Sequence, residues 1–332
     1  MGHEERHVRR AVAHAWRFFD ANEFLLKVMQ GKRTDDIGIT VDSLPVARCL
    51  ASLQEVGQVH VNISYINDIA ALDCLHSFYV RSITCSGGAI DLSPGLAAFV
   101  RLRELDLRFD NVRGDLSVIG RLTSLRRLFL PMPKRRSIGF LNNLHELEDL
   151  TLLSLGKVTD WSPLASCQKL ASMTLSGDSE FDISVLQEHR SLIRLSLHLK
   201  RFLGDVPGAF LRIPNLQFLN LSVSEGITWD FADLAELPRL KSLGLHGVRV
   251  ERVPELSGLP ITSVGVEGLP DLADFAKCSK LQDVLVYAED AIDLTPMIGT
   301  GYRLDVYGDG NFVGMKAELR GRVFQRGRLV EH

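Results

Sequence analysis

Cysteine is scarce in this chain of 332 residues: five occur, Cys49, Cys74, Cys85, Cys167 and Cys278. The number is odd, and no two show metal-ligand spacing such as C-x-x-C. Most fall where a core position is expected, so they read as buried, reduced thiols acting as small hydrophobes, in keeping with a reducing compartment. An excess of one charge is lacking as well. With 38 Lys and Arg against 41 Asp and Glu, the net charge is −3, and no global field favours nucleic acid or an anionic membrane. No apolar run approaches the length that spans a bilayer. The first residues, His3-Glu4-Glu5-Arg6-His7, are too charged for a secretory signal. These absences together predict a soluble cytoplasmic protein.

Chemistry-bearing motifs are also thin. His3-Glu4-Glu5-Arg6-His7 spells H-E-x-x-H, in which two helical His would bind zinc, but no obvious third ligand lies nearby and chance composition is the preferred account. Arg113-Gly114-Asp115 spells an integrin tripeptide whose Asp is explained by helix capping below. Gly31-Lys32-Arg33-Thr34 lacks the leading glycine of a phosphate loop. Asn62-Ile63-Ser64 and Asn220-Leu221-Ser222 are glycosylation sequons by spelling only, because both fall within expected strands. The ten His are scattered, with His60, His198 and His246 on exposed strand positions of separate rungs. With no assignable nucleophile–base set, no metal site and no cofactor motif, an enzyme is not expected.

What the sequence has is periodicity. The template L-x-x-L-x-L stands at Leu102-Leu105-Leu107 and recurs at Leu125-Leu128-Leu130, Leu147-Leu150-Leu152, Leu170-Met173-Leu175 and Leu192-Leu195-Leu197. Further copies are Leu216-Leu219-Leu221 and Leu240-Leu243-Leu245, then Ile261-Val264-Val266, Leu281-Val284-Val286 and the degenerate Gly301-Leu304-Val306. Upstream lie Val56-Val59-Val61 and Val80-Ile83-Cys85, with a first strand around Ile39 and Val41. The step averages about 22 residues over about twelve copies. Alternation within each copy is the period of a short strand. One such strand cannot bury its apolar face alone, so stacked copies are expected to form a parallel sheet over a continuous core.

A second signal occupies the other half of each repeat. A short polar residue precedes an apolar one, as in Asp91-Leu92, Asp115-Leu116, Ser137-Ile138, Asp160-Trp161, Asp182-Ile183, Asp205-Val206 and Asp293-Leu294. Asp and Ser cap helix N-termini because a side-chain oxygen accepts from orphan backbone N–H groups. Each is therefore expected to open a short turn, with Leu141, Leu164 and Leu186 closing the core from that side. The repeat starting at Leu240 has Val253-Pro254 instead, and its segment is expected to be extended.

Thr159-Asp160-Trp161-Ser162-Pro163-Leu164, running on to Leu170, resembles the T-D-L-S-P-L-A-x-L-x-x-L segment of the short bacterial, internalin-like leucine-rich repeats. The resemblance covers about 270 residues. It implies an α/β fold: a right-handed leucine-rich-repeat solenoid with a concave parallel β-sheet and short 3₁₀ or α turns on the convex side. The family places Asn at the ninth position of each repeat, where this chain has Asp110, Pro133, Leu155, Asp178, Lys200, Ser224 and Val248. Loops on that edge are accordingly expected to be irregular.

The expected organisation is a helical N-terminal cap over residues 1–35, the solenoid over 36–308, and a C-terminal cap with a basic tail over 309–332. Third, fifth and seventh positions of each repeat should face outward on the concave side. There, small hydroxyl-bearing residues are flanked by aromatic and apolar ones, which suits protein binding because aromatic anchors carry much of an interface's energy. The candidate partner-binding residues are Phe129, Leu153, Arg194, His198, Phe218, Asn220, His246, Leu285, Tyr287 and Tyr307. A second candidate is the basic loop Pro131-Met132-Pro133-Lys134-Arg135-Arg136, with Lys200-Arg201 on the same edge. The function expected is a monomeric, non-enzymatic scaffold that binds a protein partner, the alternative being a sensor or regulatory component of a signalling or immune-like system.

Overall fold

Each leucine triplet forms a strand because its alternating residues bury one face and leave the other in solvent. The computed structural model describes residues 38–41, 60–63, 80–92, 94–132, 135–230, 236–252, 258–267, 272–288, 292–308, 312–313, 320–325 and 328–330. The helical reading of the N-terminus, the H-E-x-x-H match, Cys49, Cys74 and Val253-Pro254 lie outside the described residues. The chain divides into two compact units, one comprising Met1–Pro133 with Gly139–Leu147, the other Lys134–Ile138 with Glu148–His332.

In the first unit the strands are β1 (Gly38–Val41), β2 (His60–Ile63), β3 (Val80–Leu92), β4 (Glu104–Gly114) and β5 (Arg127–Pro131). They pair in chain order, every pair parallel. β3 and β4 stay in register around the corner at their C-terminal ends, from Ser82 opposite Glu104 to Leu92 opposite Gly114. Leu102, Leu105, Leu107, Leu125, Leu128 and Leu130 are buried beneath the sheet.

In the second unit the strands run β6 (Asp149–Leu155), β7 (Ser172–Gly177), β8 (Glu180–Asp182), β9 (Arg194–Leu199), β10 (Arg201–Leu203), β11 (Phe218–Asp230), β12 (Ser242–Arg252), β13 (Ser263–Glu267), β14 (Asp283–Ala288), β15 (Ile292–Asp293), β16 (Arg303–Gly308), β17 (Phe312–Val313), β18 (Arg320–Gln325) and β19 (Arg328–Val330). The main sheet follows the order β6-β7-β9-β11-β12-β13-β14-β16-β18-β19, parallel until the final antiparallel pair. Two small parallel sheets, β8 with β10 and β15 with β17, form after the corner. Residues 320–325 and 328–330 are strands of the main sheet, the first overlapping the stretch Asn311 to Phe324 whose loose alternation in the sequence predicts terminal strands.

Between the strands, short turns close the core from the other side. The 3₁₀ turns Leu116–Arg121 and Ile183–Glu188 are capped by Asp115 and Asp182, whose carboxylates accept from the N–H two residues on, at 2.9 and 3.0 Å. Asp205 opens α1 (Val206–Leu211) by accepting from Gly208 N–H at 3.2 Å. Asp160 and Asp293 make the same i to i+2 bond, to Ser162 and Thr295, at 3.0 and 2.9 Å. Their 3₁₀ turns, Ser162–Ser166 and Thr295–Met297, begin one residue later. A proline follows there, Pro163 or Pro296, whose missing N–H costs nothing in a first turn. A second short helix, α2 (Ala273–Ala276), opens the corresponding segment before β14. Leu141, Leu164, Leu186, Phe210 and Phe275 are buried on this side. Each buried side chain of this size contributes roughly 1.5–3 kcal/mol relative to exposure, which orders short elements that could not persist alone.

The missing Asn ladder has the expected consequence at two places. Pairing shifts register between Leu152 and Leu155 and between Ser222 and Ile227. At the first, Ser154 adopts a left-handed backbone with φ +55°. The turn after β6 is satisfied from the next repeat: Ser179, with no exposed surface, donates its hydroxyl to the Gly156 carbonyl and accepts from Val158 N–H at 3.0 Å. Cys85, Cys167 and Cys278 are buried thiols, and burial pushes the Cys167 thiol up to about 12. No helix among the described residues is long and apolar enough to cross a membrane.

Candidate functional site

Register turns the outward positions of the second unit into three lines that cross the strands. The first runs Arg194, Phe218, Ser242, Ser263, Asp283, Arg303. The second runs Ser196, Asn220, Gly244, Gly265, Leu285, Asp305. On the third, His198 stands opposite Ser222 and Ser222 opposite His246, then Glu267 opposite Tyr287 and Tyr287 opposite Tyr307. Side chains are smallest in the middle of the first two lines, at Ser242 and Ser263 and at Gly244 and Gly265.

The result is a depression of about 380 Å³ on the outward face. Its floor is Ser196, Asn220, Gly244 and Gly265, and around it stand Arg194, Phe218, His246 and Leu285. The two glycines open it differently. A Cβ on Gly244 would lie 2.7 Å from Asn220 Oδ1, whereas one on Gly265 would meet nothing closer than 3.8 Å. Asn220 Oδ1 is buried and accepts no hydrogen bond among the described residues. A buried acceptor left unmatched is costly, so this atom favours any occupant that brings a donor.

The surrounding side chains are held by one another. The Arg194 guanidinium lies over the Phe218 ring, 4.9 Å from its centroid, an arrangement that fixes both flexible groups. His246 meets Tyr287 edge to face at 5.0 Å, and Tyr287 stacks on Tyr307 at 5.5 Å. Tyr287 is the most exposed of these aromatics, at 37%. Ser196 Oγ lies 2.9 Å from His198 Nε2. Burial, and then the charge of His246, hold the His198 pKa below its ordinary value. The two histidines, which looked isolated in sequence, are therefore electrostatic neighbours, one strand apart on either side of β11. Glu267 turns back to accept from Gly247 N–H at 2.6 Å, holding a corner where φ is +66°.

Of the ten sequence-predicted residues, Arg194, Phe218, Asn220, His246 and Leu285 line the depression. His198, Tyr287 and Tyr307 continue its third line, and Leu153 is half-buried on β6 of the same unit. Phe129 belongs to the first unit, where Arg108 covers its ring at 5.2 Å while bonded to Asp106. Gly244 and Gly265 matter as much as any of the ten. Their signal was present as glycine at the same strand position in successive repeats.

The basic edge reads differently. Lys200 pairs with Glu225 at 3.0 Å, and Arg201 with Glu180 at 2.7 Å and Glu225 at 3.7 Å. Hydrogen bonding to Glu225 raises the Lys200 pKa, and the same bond lowers that of Glu225. Lys200 and Arg201 are thus engaged within the chain; Pro133 and Lys134 of the basic loop lie outside the described residues. Among the described residues, no group of three His, Cys, Asp or Glu is placed to hold a metal ion.

Stacked parallel strands with a leucine ladder, joined through capped 3₁₀ turns, define the leucine-rich-repeat fold. Comparison with solved structures bears this out. The chain superposes on the Listeria monocytogenes internalin inlF with a TM-score of 0.60 and 18% identity, over 91% of this chain and 94% of that one. A leucine-rich-repeat protein of Leptospira interrogans gives a TM-score of 0.57 and 16% identity, over 87% and 82%. A plant peptide hormone receptor, RGFR1, solved in complex with RGF2, gives 0.51 and 11% identity, over 80% of this chain and 53% of that one. No protein-family model and no curated protein matches the sequence. The likeness is one of fold.

Proposed function

We propose that this chain is a non-enzymatic protein–protein interaction scaffold that binds a protein partner on the outward face of its sheet, the concave face of the sequence reading. The observation that carries this is the depression between Phe218 and Leu285, with the unmatched acceptor Asn220 Oδ1 in its floor. Glycines on two successive strands remove side chains where a partner could approach the backbone. The Arg194–Phe218 pair and the His246–Tyr287–Tyr307 row supply anchors already held in place, so little side-chain entropy is lost on binding. Solved proteins of this fold include a peptide hormone receptor in complex with RGF2, which agrees with use of the fold for peptide or protein recognition.

The test is affinity capture by the whole chain, followed by titration of the captured partner. Gly265→Leu fills the depression without a Cβ clash, and Phe218→Asp with Tyr287→Asp removes the anchors. Each is expected to weaken binding tenfold or more, about 1.4 kcal/mol. Undiminished affinity in both, with unchanged thermal midpoints, would refute binding on this face.

A further inference from the structure

Both glycines in the floor of the depression lie inside strands, where glycine holds the backbone less firmly than a residue with a side chain. Neither has the positive φ that would require glycine. Gly244 has a cause in packing. The Asn220 side chain leans across from the neighbouring strand, and a Cβ on Gly244 would lie 2.7 Å from its Oδ1 and 3.2 Å from its Cγ. Gly265 has no such cause among the described residues. A Cβ there would meet Gly244 Cα at 3.8 Å, and the Leu243 carbonyl oxygen and Leu285 Cβ at 3.9 Å, all ordinary contacts. The chain thus gives up, at Gly265, a side chain that its own packing accepts. A strand glycine of that kind marks the close approach of something from outside the strand.

The space left there has a definite chemistry. It crosses the rungs from Asn220 over Gly244 and Gly265 to Leu285, three steps of about 4.8 Å each. At the glycines the floor is bare backbone that already pairs within the sheet, and Phe218 and Leu285 stand beside it as apolar walls. An aromatic ring is the side chain that covers exposed glycine in a sheet. Asn220 supplies the unmatched polar group, its Oδ1. The last torsion of an Asn side chain is broad and roughly two-fold, so a half-turn exchanges Oδ1 and Nδ2 at the opening. A hydroxyl both donates and accepts, and pairs with whichever end it meets. An ammonium would also pair with Oδ1, but the Arg194 guanidinium at the rim repels it. A ring that ends in a hydroxyl is the side chain of tyrosine.

On the reading that the outward face binds a protein partner, we propose that the depression holds a tyrosine side chain of that partner, its ring over Gly244 and Gly265 and its hydroxyl on the Asn220 carboxamide. Full-length protein is titrated with N-acetyl-tyrosinamide, and separately with its phenylalanine, tryptophan and leucine counterparts, by ligand-observed NMR. Saturable binding of the tyrosine probe is expected, about fivefold tighter than that of the phenylalanine probe, as one hydrogen bond provides. Asn220→Leu removes that preference, and Gly265→Leu weakens the tyrosine probe about tenfold or more. Gly265→Ala leaves the thermal midpoint unchanged or higher, since packing does not oppose the methyl group. The proposal is overturned by absence of saturation with the tyrosine probe, by tighter binding of any other probe, by a preference that survives Asn220→Leu, or by a lower midpoint in Gly265→Ala. If it fails while Gly265→Leu still loses the captured partner, the outward face stands as the binding face without a tyrosine anchor; if the partner is retained as well, both readings fall.

Discussion

Replacing Ser179 with alanine tests whether one buried hydroxyl does the work of the absent Asn ladder. Its side chain bridges the turn of the preceding repeat, donating to the Gly156 carbonyl and accepting from Val158 N–H at 3.0 Å, and none of it is exposed. Alanine removes both bonds, and water cannot reach the site to replace them. Each such bond contributes about 0.5–1.5 kcal/mol net, and a buried partner left unmatched costs about 1–3 kcal/mol. Val158 N–H and the Gly156 carbonyl retain one contact, to each other at 2.9 Å, so the loss should fall at about 2 kcal/mol rather than at the upper limit. For a unit of this size that is a fall in Tm of about 4–8 °C. Ser191 supplies the control: its single hydroxyl hydrogen is shared between the carbonyls of Gln168 and Leu170, both at 2.7 Å, but it is half-buried and water can substitute. Ser191→Ala should cost less than about 1 kcal/mol. Denaturant titration at constant m-value measures both. If Ser179→Ala lies within about 0.5 kcal/mol of wild type, or no lower than Ser191→Ala, the bridging role is refuted.

Asp182→Ala removes a cap that accepts from Ser184 N–H and should lower stability by about 1 kcal/mol in the same titration. At Asp160, hydrogen bonds from the Ser162 hydroxyl and N–H hold the carboxyl below its ordinary 3.8. The folded state therefore takes up the proton less readily, so the stabilisation is complete above 3.8 and is lost as pH falls through the folded value; the gap between wild type and Asp160→Asn should narrow from about pH 7 to about pH 3. His198 has a folded pKa below its ordinary 6.5, through burial and then the charge of His246. Acidification through 6.5 should consequently destabilise wild type more than His198→Gln, and parallel loss between about pH 8 and about pH 5.5 would contradict this. Gly247→Ala places a side chain at φ +66°, with its Cβ 2.0 Å from the Val223 carbonyl oxygen, and should lower stability by about 2 kcal/mol or more, read from the denaturation midpoint.

The repeat was legible because its cause is local. Leucine spacing sets which residues face the core, and Asp or Ser before an apolar residue sets where each turn begins; both are read within one copy. The strand at Gly38–Val41 and the degenerate copy ending in Leu304 and Val306 were recoverable for the same reason. What escaped was set between copies. Ser179 reaches a turn 21 residues upstream, Trp161 Nε1 donates to the Glu180 carbonyl at 2.9 Å, and Arg201 finds Glu180 across the β8–β10 pair. The candidate surface divides the same way. Its outward residues followed from alternation, but the covering of Phe218 by Arg194 and the coupling of His198 with His246 depend on register across strands.

The capped turns have a bearing on how such a chain changes over generations. Asp160 and Asp293 keep the same bond as Asp115 and Asp182 although the turns they open begin one residue later. The turn is a length adjuster: a residue gained or lost there is absorbed before the next leucine triplet begins. Insertions and deletions on that side can accumulate without moving a single outward residue out of line. The sheet face is thereby free to diversify by substitution alone, one position at a time.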